Sequence, residues 1–245
     1  ELPNIARTRV LLYTTDGVTL KGDLMETRPT GAFFDFDRTL LMENSPKLGI
    51  RYLWDTGRVS LPYVLKIALA NWFYRKDLIS ETFMARLLLT FYRNRDPVPF
   101  EEGSESYYHA VLKPHLAPAI VSRARAHKEL GHVLVMVSAG LRYLLEPVVR
   151  DLGFDHLLCT NLEVGADGLL TGKPSGFICT GVHKRDAVME LCRELNLDLG
   201  RSSAYGDHHS DLFLLEVVGN PHAVEPTPRL RKEALKRGWP ILTYR

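Results

Sequence analysis

The residues best suited to chemistry fall in four short stretches. The first is Asp35-Phe36-Asp37-Arg38-Thr39, which sets two carboxylates two positions apart. On an extended strand such residues point to one face. The chain must leave the strand at or before Asp37, so the two acids can take different roles. Like charges this close repel, and a divalent cation relieves the repulsion. The plainer reading is a strand end followed by a capped turn. The second stretch is Gly206-Asp207-His208-His209-Ser210-Asp211. Asp207 directly follows an apolar run, and Asp211 shares a helix face with it if a turn of helix starts there. Gly206 allows close backbone approach. The plainer reading is an N-cap and a first-turn acid. The third is Ser138-Ala139-Gly140, at the end of a second apolar run. A hydroxyl and free amides at a helix start make a phosphate site; the alternative is simple helix capping. The fourth is a lysine, either Lys173 in LLTGKPSG or Lys184, which opens a helical pattern. A lysine at a helix start opposes the helix dipole, which hints at another task. A solvated surface lysine is the usual alternative.

The elements that must position these residues are read from periodicity. AFFDF (32–36), HVLVMV (132–137) and SSAYG (202–206) are short apolar runs expected as buried strands. LRYLLEPVVRDLG puts Leu141, Leu144, Leu145, Val148 and Leu152 on one helical face, with Gly153 as a stop signal. KRDAVMELCREL does the same with Ala187, Val188, Leu191, Cys192 and Leu195. Strands alternating with helices predict an α/β fold, a Rossmann-like parallel sheet with helices on both faces. Ligands in such sheets bind at the carboxyl ends of the strands, where the polar residues above fall. Residues 1–31 read as a β-hairpin arm, with Asp16-Gly17 as its turn. Residues 45–117 read as an all-helical lobe inserted between two strands of the sheet, leaving 32–44 and 118–245 as the α/β core. Within that lobe, Leu61, Val64, Leu65, Ala68, Leu69, Trp72 and Phe73 recur at helical spacing, with Ser60 as N-cap and Pro62 in the first turn. Packing of that helix against the core is the simpler expectation.

Bulk properties narrow the setting. The chain has 245 residues, 45% hydrophobic and 24% charged, as in an ordinary globular protein. The net charge is only +2, but residues 45–95 hold nine Lys or Arg against three acids, +6 there and −4 elsewhere. A locally basic region favours anionic ligands or surfaces; no nucleic-acid partner is indicated. Three cysteines without paired spacing suit a reducing compartment. With no signal-peptide pattern at the start and no run long enough to span a bilayer, a cytoplasmic location is the expectation.

Taken together, AFFDFDRTLL, VLVMVSAG, DGLLTGK, Lys184 and AYGDHHSDLFLLEVVGNPHAVEPTPRLRKEALKRGWPIL resemble the haloacid dehalogenase-like (HAD) superfamily. Within it, the chain is similar to the phosphoserine phosphatase-like branch, which carries a helical cap after the first motif. The resemblance spans roughly residues 32 to 243. It implies Asp35 as nucleophile, forming an aspartyl-phosphate, and Asp37 as general acid–base. It implies Mg2+ held by Asp35, the carbonyl of Asp37 and Asp207, with Asp211 orienting metal waters. Thr39, Ser138, Ala139 and Lys184 would hold the phosphoryl oxygens. Three positions depart from that branch: Arg38 where a small residue is usual, Asn44 where a substrate-reading Glu is usual, and His208-His209 where small or hydroxyl residues are commoner.

The expected activity is Mg-dependent hydrolysis of a small phosphorylated metabolite, phosphoserine-like or other. The alternatives are a phosphatase of an amphiphilic or lipid phosphate at a membrane surface, and a phosphotransferase whose intermediate is captured by an alcohol. A non-enzymatic alternative is assembly through the N-terminal hairpin edge. A dehalogenase is disfavoured, since Asp37, Asp207 and Asp211 would then have no purpose. So is a catalytically dead homologue, since each matched position carries a competent side chain.

Overall fold

Gly31–Phe34 (β1) is the middle of the molecule because parallel partners flank it on both sides. The structure is a computed structural model that describes residues 28–76 and 78–244; the expected N-terminal hairpin lies outside the described residues. After β1 come four helices, Ser45–Asp55 (α1), Leu61–Arg75 (α2), Glu81–Leu89 (α3) and Val98–Tyr107 (α4). A π turn over Tyr108–Leu112 then leads to Pro118–Glu129 (α5). Val133–Leu141 (β2), Arg142–Leu152 (α6) and His156–Thr160 (β3) follow, then a small antiparallel pair, Leu162–Val164 (β4) and Leu170–Pro174 (β5). Val182–Glu194 (α7), Ser203–Gly206 (β6), Leu212–Leu215 (α8), Asn220–Val224 (β7), Pro228–Arg237 (α9) and Ile241–Leu242 (β8) complete the chain. The main sheet has six parallel strands in the order β3-β2-β1-β6-β7-β8.

Alternation along the strands divides the core into two layers. Ala32, Phe34, Leu134, Met136 and Tyr205 join Ile120 and Ala124 of α5 and Leu145 and Val148 of α6 on one face. Phe33, Val135, Val137 and Ala204 join Val188, Leu191 and Cys192 of α7 and Leu230 and Ala234 of α9 on the other. Both faces are covered, which is why these strands are apolar throughout rather than alternating. The helix ends follow local chemistry. Asn44 caps α1 by accepting from the Lys47 amide, and Ser80 caps α3 by accepting from the Phe83 amide. Gly153 ends α6 in the left-handed region, φ 69°.

Several expectations need correction. The first strand ends at Phe34, so Asp35 and Asp37 do not lie on a common strand face. The second strand runs on through Ser138 to Leu141, and α6 starts only at Arg142. Ser138-Ala139-Gly140 is therefore a strand bulge: pairing with β3 jumps from Ser138 to Leu141. Asp211 ends a single 3-10 turn, His209–Asp211, rather than a turn of α-helix. Ser60 stands at the N-cap of α2, but its side chain makes no capping hydrogen bond.

The largest difference concerns α2. Leu61, Leu65, Leu69 and Trp72 are 54%, 59%, 59% and 54% exposed. The helix instead buries Ile67 and Ala70 on its opposite side. The physical reason is that α2 is apolar all round, so periodicity alone cannot say which face turns inward.

Candidate active site

The chemistry-bearing residues converge at the carboxyl end of β1 and β6. The amide of Asp35 donates to the Tyr205 carbonyl at 2.9 Å, which seats Asp35 one residue beyond the sheet. Its side chain is buried. Oδ1 accepts from Lys184 Nζ at 2.5 Å, while Oδ2 has no hydrogen-bond partner among the described residues. Lys184 lies in the first turn of α7 and is itself buried, donating also to Asp211 Oδ1 at 2.7 Å. The other candidate lysine, Lys173, is exposed on β5 and joins no such cluster.

Asp207 follows β6 directly, and Asp211 is brought back onto it by the tight 3-10 turn. Asp211 Oδ2 accepts from the His208 amide at 3.0 Å, closing a reciprocal cap with the His208 side chain. Only glycine fits at 206: a Cβ there would stand 2.7 Å from Asp211 Cβ. One oxygen from each of Asp35, Asp207 and Asp211 lies within 4.8 Å of the others.

Three carboxylates against one buried lysine leave excess negative charge. Burial, with Asp211 and Asp37 adding to it against Lys184, pushes the Asp35 carboxyl up to about 7. Burial, followed by the charges of Asp211 and Asp35, pushes Asp207 up to about 9, opposed by Arg38 and Lys184. Burial alone would lower Lys184, but the two carboxylates outweigh it and hold the ammonium well above the ordinary lysine range. This donor set fits a hard divalent cation. It offers clustered carboxylate oxygens, and Asp35 in addition carries an orphaned buried oxygen, in surroundings where added positive charge is favourable.

Asp37 takes a different direction from Asp35. Its carboxylate accepts from both the amide and the hydroxyl of Ser45 at the start of α1, the hydroxyl at 3.0 Å. Burial raises its pKa, and the Ser45 bonds oppose the rise. The Asp37 side chain therefore stands outside the three-oxygen cluster. Directly after Asp37 the backbone turns tightly, and Arg38 adopts φ 58°. Its carbonyl accepts from the Tyr244 hydroxyl, and its Nε lies 3.3 Å from Asp207 Oδ2. Those contacts hold a conformation that a side chain rarely adopts.

Thr39 is fully buried, and its hydroxyl has no partner among the described residues. Ser138 is also buried, with Oγ accepting from the Gly140 amide at 3.0 Å. The Ala139 carbonyl accepts from Thr160 Oγ1 at 2.9 Å, which anchors the bulge.

Four contributors escape a reading of the motifs. Ser45 and Tyr244 act as above; the Asn44-Ser45-Pro46 helix start is the only sequence signal for either. Glu81, at the start of α3, lies 3.7 Å from His208 Nδ1. The Tyr74 hydroxyl, near the end of α2, lies 3.5 Å from His208 Nε2. His208 thus ties the inserted helices to the acidic loop, a contact between segments 134 residues apart that no local pattern announces.

Comparison with known proteins agrees with this geometry. The profile of the haloacid dehalogenase-like hydrolase family matches residues 32–216. An inhibition of morphological differentiation protein from Streptomyces azureus is 32% identical, over 92% of this chain and 82% of its own length. A probable phosphatase of Mycobacterium tuberculosis is 31% identical, over 88% of this chain and 75% of its own. A solved structure of a substrate-bound phosphoserine phosphatase complex shares the fold, with a TM-score of 0.67 at 18% identity over 90% of this chain and 95% of that one. With the parallel sheet, the acidic cluster and the family profile in agreement, this chain belongs to the haloacid dehalogenase-like hydrolase family.

Proposed function

We propose that the protein hydrolyses a small phosphomonoester through an aspartyl-phosphate on Asp35. The observation that carries this reading is the pair of environments around one carboxylate. Asp35 Oδ1 is fixed by Lys184, while Oδ2 is buried and without a hydrogen-bond partner among the described residues, on a carboxylate that clusters with Asp207 and Asp211. A carboxylate held by one oxygen presents the other as an oriented nucleophile.

In this reading Asp35 attacks phosphorus and the bond to the ester oxygen breaks. Asp37 delivers its proton to the departing alkoxide. The raised pKa of Asp37 helps it hold that proton. Asp37 then takes a proton from water, the water oxygen attacks phosphorus, and the bond to Asp35 breaks to release phosphate. Lys184, Thr39, Ser138 and the Ala139 bulge bind the phosphoryl oxygens. Asp35, Asp207, Asp211 and the main-chain carbonyl of Asp37 would hold Mg2+, which when bound supplies charge neutralisation at those oxygens. Residues 45–117 act as the cap that selects the substrate, a small phosphorylated metabolite, phosphoserine-like or other. Asn44 and Arg38 make phosphoserine itself one candidate among several.

The test is Asp35→Asn assayed with an aryl phosphate in MgCl2. The isosteric amide cannot form the acyl phosphate, so a loss of at least ~1,000-fold in kcat is expected. Hydrolysis at the wild-type rate would rule out Asp35 as nucleophile.

A further inference from the structure

The exposed side of α2 is an unusual surface for a globular protein. Leu61, Leu65, Leu69 and Trp72 follow one another at steps of four, four and three residues, so they form one stripe along the helix. Each is more than half exposed. Ile67 and Ala70, on the other side, are buried, so the stripe is not a core face that has turned by a residue or two. Isolated exposed leucines need no explanation, but a continuous stripe ending in a tryptophan marks a contact surface.

Charge identifies the occupant. Between residues 56 and 76 there are four basic residues, Arg58, Lys66, Arg75 and Lys76, and no acid. All four are exposed. A second copy of this chain seated on the stripe would bring two such sets together, and like charges would oppose it. An anionic bilayer satisfies both features, taking the leucines and the indole into its interface and the cations at its headgroups. The helix has 15 residues, about 22 Å by its rise, so it can lie in an interface. Among the described residues no helix is long and apolar enough to cross a membrane.

We propose that the Leu61–Trp72 stripe of α2 is a docking surface for an anionic lipid bilayer. Near the end of the same helix, Tyr74 reaches His208, which follows Asp207. Tyr74 lies on the buried side of α2, so a docked stripe leaves the helix between the bilayer and the acidic cluster. The docking itself does not depend on the phosphatase reading.

The experiment is co-sedimentation of the full chain with phosphatidylcholine vesicles, with and without phosphatidylserine, at low and at physiological salt. Two variants accompany it, Leu65→Gln/Leu69→Gln and Lys66→Glu/Lys76→Glu. Aryl phosphate hydrolysis without vesicles and thermal melting report separately on activity and folding. Wild-type protein is expected to partition onto phosphatidylserine vesicles and not onto neutral ones. The leucine variant should lose roughly 10-fold or more of that partitioning at both salt concentrations, and the lysine variant mainly at low salt. Absence of wild-type binding at low salt overturns the proposal. So does equal binding by all three proteins. A wild-type dimer that the leucine variant converts to monomer would assign the stripe to a second copy instead. A protein that binds vesicles without hydrolysing aryl phosphate would refute the catalytic reading and leave the docking surface standing.

Discussion

Removing the cation from beneath Asp35 and Asp211 is the sharpest test of the site's electrostatics. Lys184→Met keeps most of the aliphatic stem and deletes an ammonium that contacts two buried carboxylates at 2.5 and 2.7 Å. Truncating one partner of a buried pair typically costs about 3–5 kcal/mol, because the remaining charge stays desolvated. Here the cost is limited by protonation. Asp35 already sits near 7 rather than 3.8, chiefly through burial and with Lys184 opposing the rise, and losing the lysine moves it further up. Between the unfolded pKa and the raised folded value, the folded variant holds a proton that the unfolded chain has released. Unfolding then releases that proton, so stability falls as pH rises, by up to ~1.4 kcal/mol per pH unit for each such proton. Below the unfolded pKa both states are protonated and the penalty vanishes. Urea denaturation followed by circular dichroism in EDTA, at about pH 6 and about pH 8, reads both the size and the sign. The variant should lose about 3–5 kcal/mol relative to wild type at the higher pH and less at the lower. An unchanged urea midpoint at the higher pH, or a loss that shrinks as pH rises, would refute the buried-pair reasoning.

Other consequences can be measured independently. Asp207→Asn removes one of the three clustered oxygens; millimolar MgCl2 should raise the Tm of wild type and raise that of the variant much less, and equal shifts would place the cation elsewhere. Gly206→Ala puts a Cβ 2.7 Å from that of Asp211; kcat is expected to fall at least ~10-fold through displacement of the acidic turn, and an unaffected kcat would show that the turn tolerates the shift. His127 is held down to about 4, by burial first and then by the neighbouring charges of His132 and His222. Its unfolded form gains a proton between 6.5 and about 4 that the folded form refuses, so this contribution to stability is lost as pH falls through that window. His127→Gln should flatten the dependence of the denaturation midpoint on pH there, and an unchanged slope would exclude His127 as its source.

The inserted helices show where pattern reading stops. Leu61, Leu65, Leu69 and Trp72 announce a helix, and a helix forms over Leu61–Arg75. Which side faces inward was set by what the rest of the fold presents to it. The buried side takes Ile67 and Ala70, flanked by half-buried Tyr63 and Tyr74, whose hydroxyls reach partners on other segments. Where every face is apolar, the choice rests on shape and hydrogen bonding between elements distant in sequence, and neither is encoded in a local window.

The motif residues divide the same way. The apolar runs before Asp35, Ser138 and Asp207, and the single-sided faces of α6 and α7, make the parallel sheet and its catalytic edge legible from residue types alone. Burial on both faces demands continuous apolar strands, and the chain supplies them. The sequence by itself also determined that acids, a hydroxyl and a lysine would meet at that edge. Only the tertiary structure turned Asp37 toward Ser45 and away from the other acids, and made Ser138–Gly140 a bulge rather than a helix start. It also brought Glu81 and Tyr74 across to His208. Each of those outcomes depends on distances between segments far apart in the chain. Electrostatic pairing and packing across such distances act on positions in space, and folding alone assigns those positions.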